Sequence, residues 1–110
     1  MVADVVMDGT RVADFAQDVK ACALGQAAAA VLGAKVIGAD IGEIEMARDA
    51  FRAMLKTGAP PPEGRFSDLS MLAPVKDYPA RHASAMLAFE ATAEACALAI
   101  ARRTSPADAA

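Results

Sequence analysis

Tryptophan is absent, tyrosine occurs once, and aromatic residues make up only 5% of the 110 positions. So few rings argue against base-stacking platforms and against aromatic cages for cationic ligands. Basic charge is also in deficit. The net charge of −3 gives no general attraction for nucleic acid or anionic lipid, so protein or metal partners are expected instead. Histidine occurs once, as His82, and cysteine twice, as Cys22 and Cys96, with no Cys-x-x-Cys pair of zinc spacing. No G-K-[ST] or G-x-G-x-x-G stretch makes a phosphate loop. There is no G-x-S-x-G elbow either, and Ser84 and His82, two apart, point to different sides of a helix. No secretory signal opens the chain, because Asp4 and Asp8 interrupt its first residues. The weakly polar run Ala21–Ala34 is too short and too rich in Ala and Gly to span a bilayer. A reduced, cytoplasmic protein without membrane or nucleic-acid contacts is the expectation. Residues 1–104 are read as a single domain and 105–110 as a disordered tail.

What is present is apolar and small. Hydrophobic residues reach 55%, much of it alanine, which predicts a closely spaced core. Val2–Met7 is a β-branched strand leading into the hairpin signal Asp8-Gly9, and Arg11–Lys20 returns with imperfect alternation, Phe15 and Val19 pointing inward. Ala23–Ile37 reads as a helix ended by Gly38. Asp40 and Glu43 form a capping box ahead of a stripe of Ile44, Ala47, Phe51, Met54 and Leu55, closed by Thr57-Gly58. A proline-rich connector follows. Ser67–Ser70 then caps a short helix running through Leu72 and stopped by Pro74. Asp77 is read as the cap of the last helix, with Pro79 in its first turn and Met86, Phe89, Ala93, Cys96 and Ile100 on one face. The fold class is therefore α+β, an antiparallel sheet with its hairpin at the N-terminus, covered on one face by helices.

Chemistry has few places to reside. Cys22 stands where a strand-like run meets the small-residue helix, and the positive end of a helix favours thiolate, the form that binds metal or attacks electrophiles. The plain alternative is a small residue chosen for tight packing. Cys96 lies on an apolar stripe and reads as core. Glu43, Glu45 and Asp49 share one helix and read as a solvated face, as do Arg81, His82 and Ser84 near the start of the last helix.

Two segments carry a resemblance. Ala21-Cys22-Ala23-Leu24-Gly25-Gln26-Ala27-Ala28-Ala29-Ala30, directly after a hairpin, resembles the second-cysteine motif of NifU/IscU-type iron–sulfur cluster assembly scaffolds. Tyr78-Pro79-Ala80-Arg81-His82-Ala83-Ser84-Ala85-Met86-Leu87-Ala88-Phe89 is similar to that family's third-cysteine motif, aromatic-Pro-x-Arg-x-x-Cys-x-x-Leu-Ala-aromatic. The resemblance implies a NifU/IscU-like fold that is not an enzyme and that holds an iron–sulfur cluster or iron, with zinc as the alternative metal. It also implies a cysteine desulfurase or another cluster-assembly protein as partner.

The sequence departs from the pattern at its ligands. The family's first cysteine, in Cys-Gly-Asp, precedes the first strand, and this chain begins after that point. Cys22 keeps the second ligand position. Ser84 occupies the third, where a hydroxyl is a far poorer ligand than thiolate for a soft metal. Ala83 stands where some branches carry histidine, and His82 lies one residue earlier. Cys22 and Ser84 are thus the expected cluster-facing residues, and Cys22 and His82 the expected metal ligands. A missing N-terminal segment, a second subunit, making a homo-oligomer, or a small thiol would have to complete the set. The competing expectations are an adaptor of the same fold that binds an assembly partner without metal, and a thiol enzyme using Cys22 and His82.

Overall fold

A computed structural model describes residues 2–18 and 23–104. Val19, Cys22 and the tail 105–110, each the subject of an expectation above, lie outside the described residues. The element order is β1 (Val2–Asp8), β2 (Arg11–Asp18), α1 (Ala23–Lys35), α2 (Ile41–Thr57), a 3-10 segment (Gly64–Asp77), a 3-10 turn (Pro79–Arg81) and α3 (His82–Thr104).

β1 and β2 form an antiparallel hairpin in which Asp8 faces Arg11 across Gly9-Thr10, with Gly9 at φ 61°. A positive φ at the first central position suits a two-residue turn whose twist matches the strands. Val6 pairs with Asp14 but Met7 pairs with Val12, leaving Ala13 as an extra residue in β2. This bulge accounts for the imperfect alternation. It resets the parity, so Val12 and Phe15 both face inward, opposite Met7 and Val5. Met7 and Val12 are buried, whereas Val2 and Val6 are 55% and 56% exposed on the outer face. The ribbon is thus covered on one side only.

α1 spans a shorter range than the sequence suggested, ending at Lys35, with Gly38 in the left-handed region at φ 87°. Its buried Gly25, Ala28 and Ala29 permit close packing, and Gln17 Nε2 on β2 donates to the Ala29 carbonyl at 3.0 Å. The link to α2 adds a third short extended piece. Val12 N–H donates to Ala39 O, Gly38 N–H to Val12 O and Ile41 N–H to Thr10 O, with a bridge between Arg11 and Asp40.

At the start of α2 the capping box forms as read. The Asp40 carboxylate accepts from Gly42 N–H at 2.8 Å, and Glu43 Oε1 accepts from Asp40 N–H at 3.2 Å. The Thr10 hydroxyl also donates to Asp40, which fastens the hairpin turn to the helix cap. These bonds hold both carboxyls below their usual range. For Asp40 the Thr10 hydroxyl is the chief cause and Gly42 N–H the next; for Glu43 the Asp40 N–H leads, followed by Arg65. Gly58, at φ 73°, closes the helix, and its N–H returns to the helix carbonyls.

Two local readings are corrected. The short helix stopped by Pro74 is a 3-10 stretch from Gly64 to Asp77, kinked at Phe66 (φ −108°, ψ 24°), that contains Pro74 and buries Phe66, Leu69, Leu72 and Val75. Proline has no N–H to donate to either an i−3 or an i−4 carbonyl, so Pro74 removes one main-chain bond from the segment without ending it. The cap ahead of Pro79 is Tyr78 rather than Asp77, and no side chain bonds there.

α3 packs against α1, α2 and β1 and carries the centre of the core. Phe89 meets Phe51 of α2 and Phe66 of the 3-10 segment edge to face, at centroid distances of 6.0 and 5.3 Å. Residues Pro79–Arg102 are long and apolar enough, by length and composition, to cross a membrane. Met86, Phe89, Ala93 and Cys96 are buried in the core of this fold.

Candidate functional site

Tight packing of α1 against α3 brings the beginning of one helix beside the entry to the other. Ala23 and Leu24, the first residues of α1, line a cleft of about 310 Å³ together with Tyr78 and Arg81. The two sequence segments, more than fifty residues apart, therefore border one concavity. Cys22 immediately precedes Ala23 in the chain and belongs to the undescribed stretch. α1 carries no acidic residue in its first turn.

The far wall is set by the 3-10 turn. Tyr78 N–H donates to Val75 O at 2.9 Å, and Arg81 N–H donates to Tyr78 O at 2.8 Å. Tyr78 is 61% exposed. The His82 ring is held by two carbonyls, with Nε2 3.0 Å from Val75 O and 3.2 Å from Lys76 O. Carbonyl oxygens only accept, so the ring carries its proton on Nε2, and only Nδ1 keeps a lone pair for a metal. Ser84 is half-buried one position beyond Ala83 on α3.

Cys96 is remote from ligand chemistry. It is fully buried, and burial, then the Glu45 charge, pushes its thiol up to about 11. Among the described residues, no three His, Cys, Asp or Glu side chains gather closely enough to hold a metal ion. The described donors thus do not fit a cluster held by this chain alone, which would want four ligands, mostly thiolates.

A second cleft, of about 360 Å³, was not anticipated from sequence. It lies between α2 and the proline-rich connector, bordered by Met46, Ala50, Pro61 and Phe66. Of its three charged neighbours, Glu43 and Arg65 pair across 3.1 Å and Glu63 leaves a net negative charge, and no thiol or imidazole lines it among the described residues. The segment Ala59–Gly64, which supplies part of its wall, reads from sequence only as a stiff surface connector.

No protein-family model matches the chain, and no curated protein does. A solved structure does: the crystal structure of a nitrogen-fixing NifU-like protein (N-terminal) from Brucella abortus. It is similar with a TM-score of 0.87 and 48% sequence identity, over 93% of this chain and 70% of that one. Identity at that level, along nearly the whole length and in the same three-dimensional arrangement, exceeds what a shared architecture alone produces. The chain belongs to the NifU-like family, in its N-terminal domain.

Proposed function

We propose that this protein is an iron–sulfur cluster assembly scaffold whose ligand set is partly lost, with Cys22 as the remaining thiolate. The observation that carries the reading is the convergence, in a chain 48% identical to a NifU-like protein, of the Ala23–Leu24 and Tyr78–Arg81 segments on one cleft. Cys22 would receive metal or sulfur from a cysteine desulfurase or another assembly protein. The positive end of α1 would stabilise the anionic sulfur. His82 Nδ1 would be the second protein donor, its ring oriented through Nε2 by the Val75 and Lys76 carbonyls. Ser84 would face the cargo without contributing a strong soft-metal ligand. The iron or cluster is cargo, not a resident cofactor, and no residue is assigned a catalytic role. The cytoplasm is the proposed compartment.

The test is anaerobic reconstitution of the wild type and Cys22→Ala with iron(II) and sulfide in the presence of a small thiol, followed by visible absorption and metal analysis. Charge-transfer absorption and bound iron are expected in the wild type and not in the variant. Wild type that emerges without bound iron removes the scaffold reading. In that case an adaptor that binds an assembly partner without metal takes its place. The absence of a three-donor group among the described residues is what favours that second reading.

A further inference from the structure

We propose that the cleft between α2 and the proline-rich connector docks a segment of a partner protein in which an arginine adjoins an apolar residue. Charge around this cleft is lopsided. Arg65 is committed within the fold, its Nε donating to Glu43 Oε2 at 3.1 Å and its Nη1 to the Lys35 and Ile37 carbonyls at 2.9 and 3.4 Å. Glu43 is committed too, since its other oxygen, Oε1, accepts from Asp40 N–H in the α2 cap. Glu63 is not. Its backbone enters the 3-10 segment extended, at φ −98° and ψ 164°, and its side chain makes no bond to the turn that follows. It joins no ion pair among the described residues either. The cleft therefore has one carboxylate to offer and no unpaired cation among its described neighbours.

The connector adds to that bias. Pro60, Pro61 and Pro62 have no N–H, so this stretch of main chain has acceptors only. Carbonyls followed by a carboxylate call for an occupant rich in donors, and a guanidinium donates from every nitrogen and accepts at none. An ammonium donates as well, but it is more strongly hydrated and gives up more on leaving water for an apolar surface.

The rest of the lining suits an apolar neighbour to that cation. Ala47, Pro62 and Phe66 are buried beneath the cleft, and Met46 stands at its rim, 74% exposed. A thioether is polarizable and its side chain adapts to what it touches, which fits a surface that closes over an incoming side chain. The volume of about 360 Å³ is at the lower end of ligand pockets, so it admits a short segment and not a folded element. This docking does not depend on metal at Cys22, and an adaptor would use it as readily as a scaffold.

The test titrates N-acetyl-leucyl-arginine amide into the protein with isotope-labelled amides and methionine methyls, followed by NMR. Shifts should saturate at Met46, Ala50 and Gly64. N-acetyl-leucyl-citrulline amide keeps the shape and loses the charge, so it should bind about threefold more weakly, the scale of an exposed ion pair. Glu63→Gln should bring those two probes level. Glu63 is exposed, so the variant should unfold at the same urea concentration as the wild type. N-acetyl-glycyl-arginine amide should also bind more weakly than the leucyl probe, because it leaves the apolar floor unfilled.

A citrulline probe that binds the wild type as well as the arginine one, or a preference for arginine that survives Glu63→Gln, would overturn the charge assignment. A glycyl probe as good as the leucyl one would overturn the apolar half. Saturable shifts only elsewhere, or none at all, would remove the site. Shifts at Met46 and Ala50 that grow as the protein alone is concentrated would make a second copy of this chain the occupant, and the proposal would fall with them.

Discussion

Truncating Phe89 is the sharpest test of how this fold is held together. The ring is fully buried on α3 and meets Phe51 at 6.0 Å with planes 67° apart, and Phe66 at 5.3 Å with planes 88° apart. Phe89→Ala removes the transfer energy of the ring and leaves a cavity between three elements that cannot all collapse. Such changes cost about 3–5 kcal/mol. Two edge-to-face pairs, each adding about 0.5–1.5 kcal/mol beyond area burial, place this one near the upper end, about 5 kcal/mol. Phe89→Leu keeps most of the volume and loses both ring pairs, so it should cost about 1–3 kcal/mol. Against the 5–15 kcal/mol typical of folded domains, roughly, the alanine variant should be only marginally folded. Urea unfolding followed by circular dichroism gives both differences, provided the slope with denaturant is unchanged. An alanine variant that loses less than about 2 kcal/mol, or a leucine variant that loses as much as alanine, would refute a ring clamped between Phe51 and Phe66.

The clasp at the start of α2 should appear as an acid limb. Asp40 and Glu43 have folded-state values below their unfolded ones, so their contribution is complete above about pH 4–5 and is lost as pH falls through the folded values. The denaturant midpoint should therefore drop on acidification, and Asp40→Asn should flatten that drop; an identical acid limb in the variant would count against the clasp. Cys96 should act at the other extreme. Its thiol is raised, so stability is intact below about 9.0 and declines as pH rises toward about 11. The loss should be at most about 3 kcal/mol, and Cys96→Val should abolish it; a variant with the same alkaline decline would show that another group is responsible.

Much of the fold was legible because local chemistry determines it. Asp40 and Glu43 announce their box by type and spacing, Gly58 announces the end of α2, and Asp8-Gly9 announces the hairpin. The bulge at Ala13 was not legible as such, since an extra residue shows in sequence only as blurred alternation. Pro74 misled for a related reason, because a proline removes one main-chain donor but does not dictate that the residues after it leave helical turns. At the site, the pairing of two distant motifs came from their resemblance to a family, and the shared cleft agrees with it. The engagement of His82 Nε2 by two main-chain carbonyls carries no sequence signal, because it depends on where the 3-10 segment ends.

The extra residue in β2 also gives the hairpin an unusual tolerance. Elsewhere in a two-residue repeat, losing a single position would turn every following side chain from the interior to water. Ala13 is the exception, since Met7 already sits across from Val12 and Val6 across from Asp14 without it. A shortened ribbon lacking that alanine would keep Phe15 and Gln17 aimed at the helices, so this is where the strand can change length without disturbing what lies beneath it.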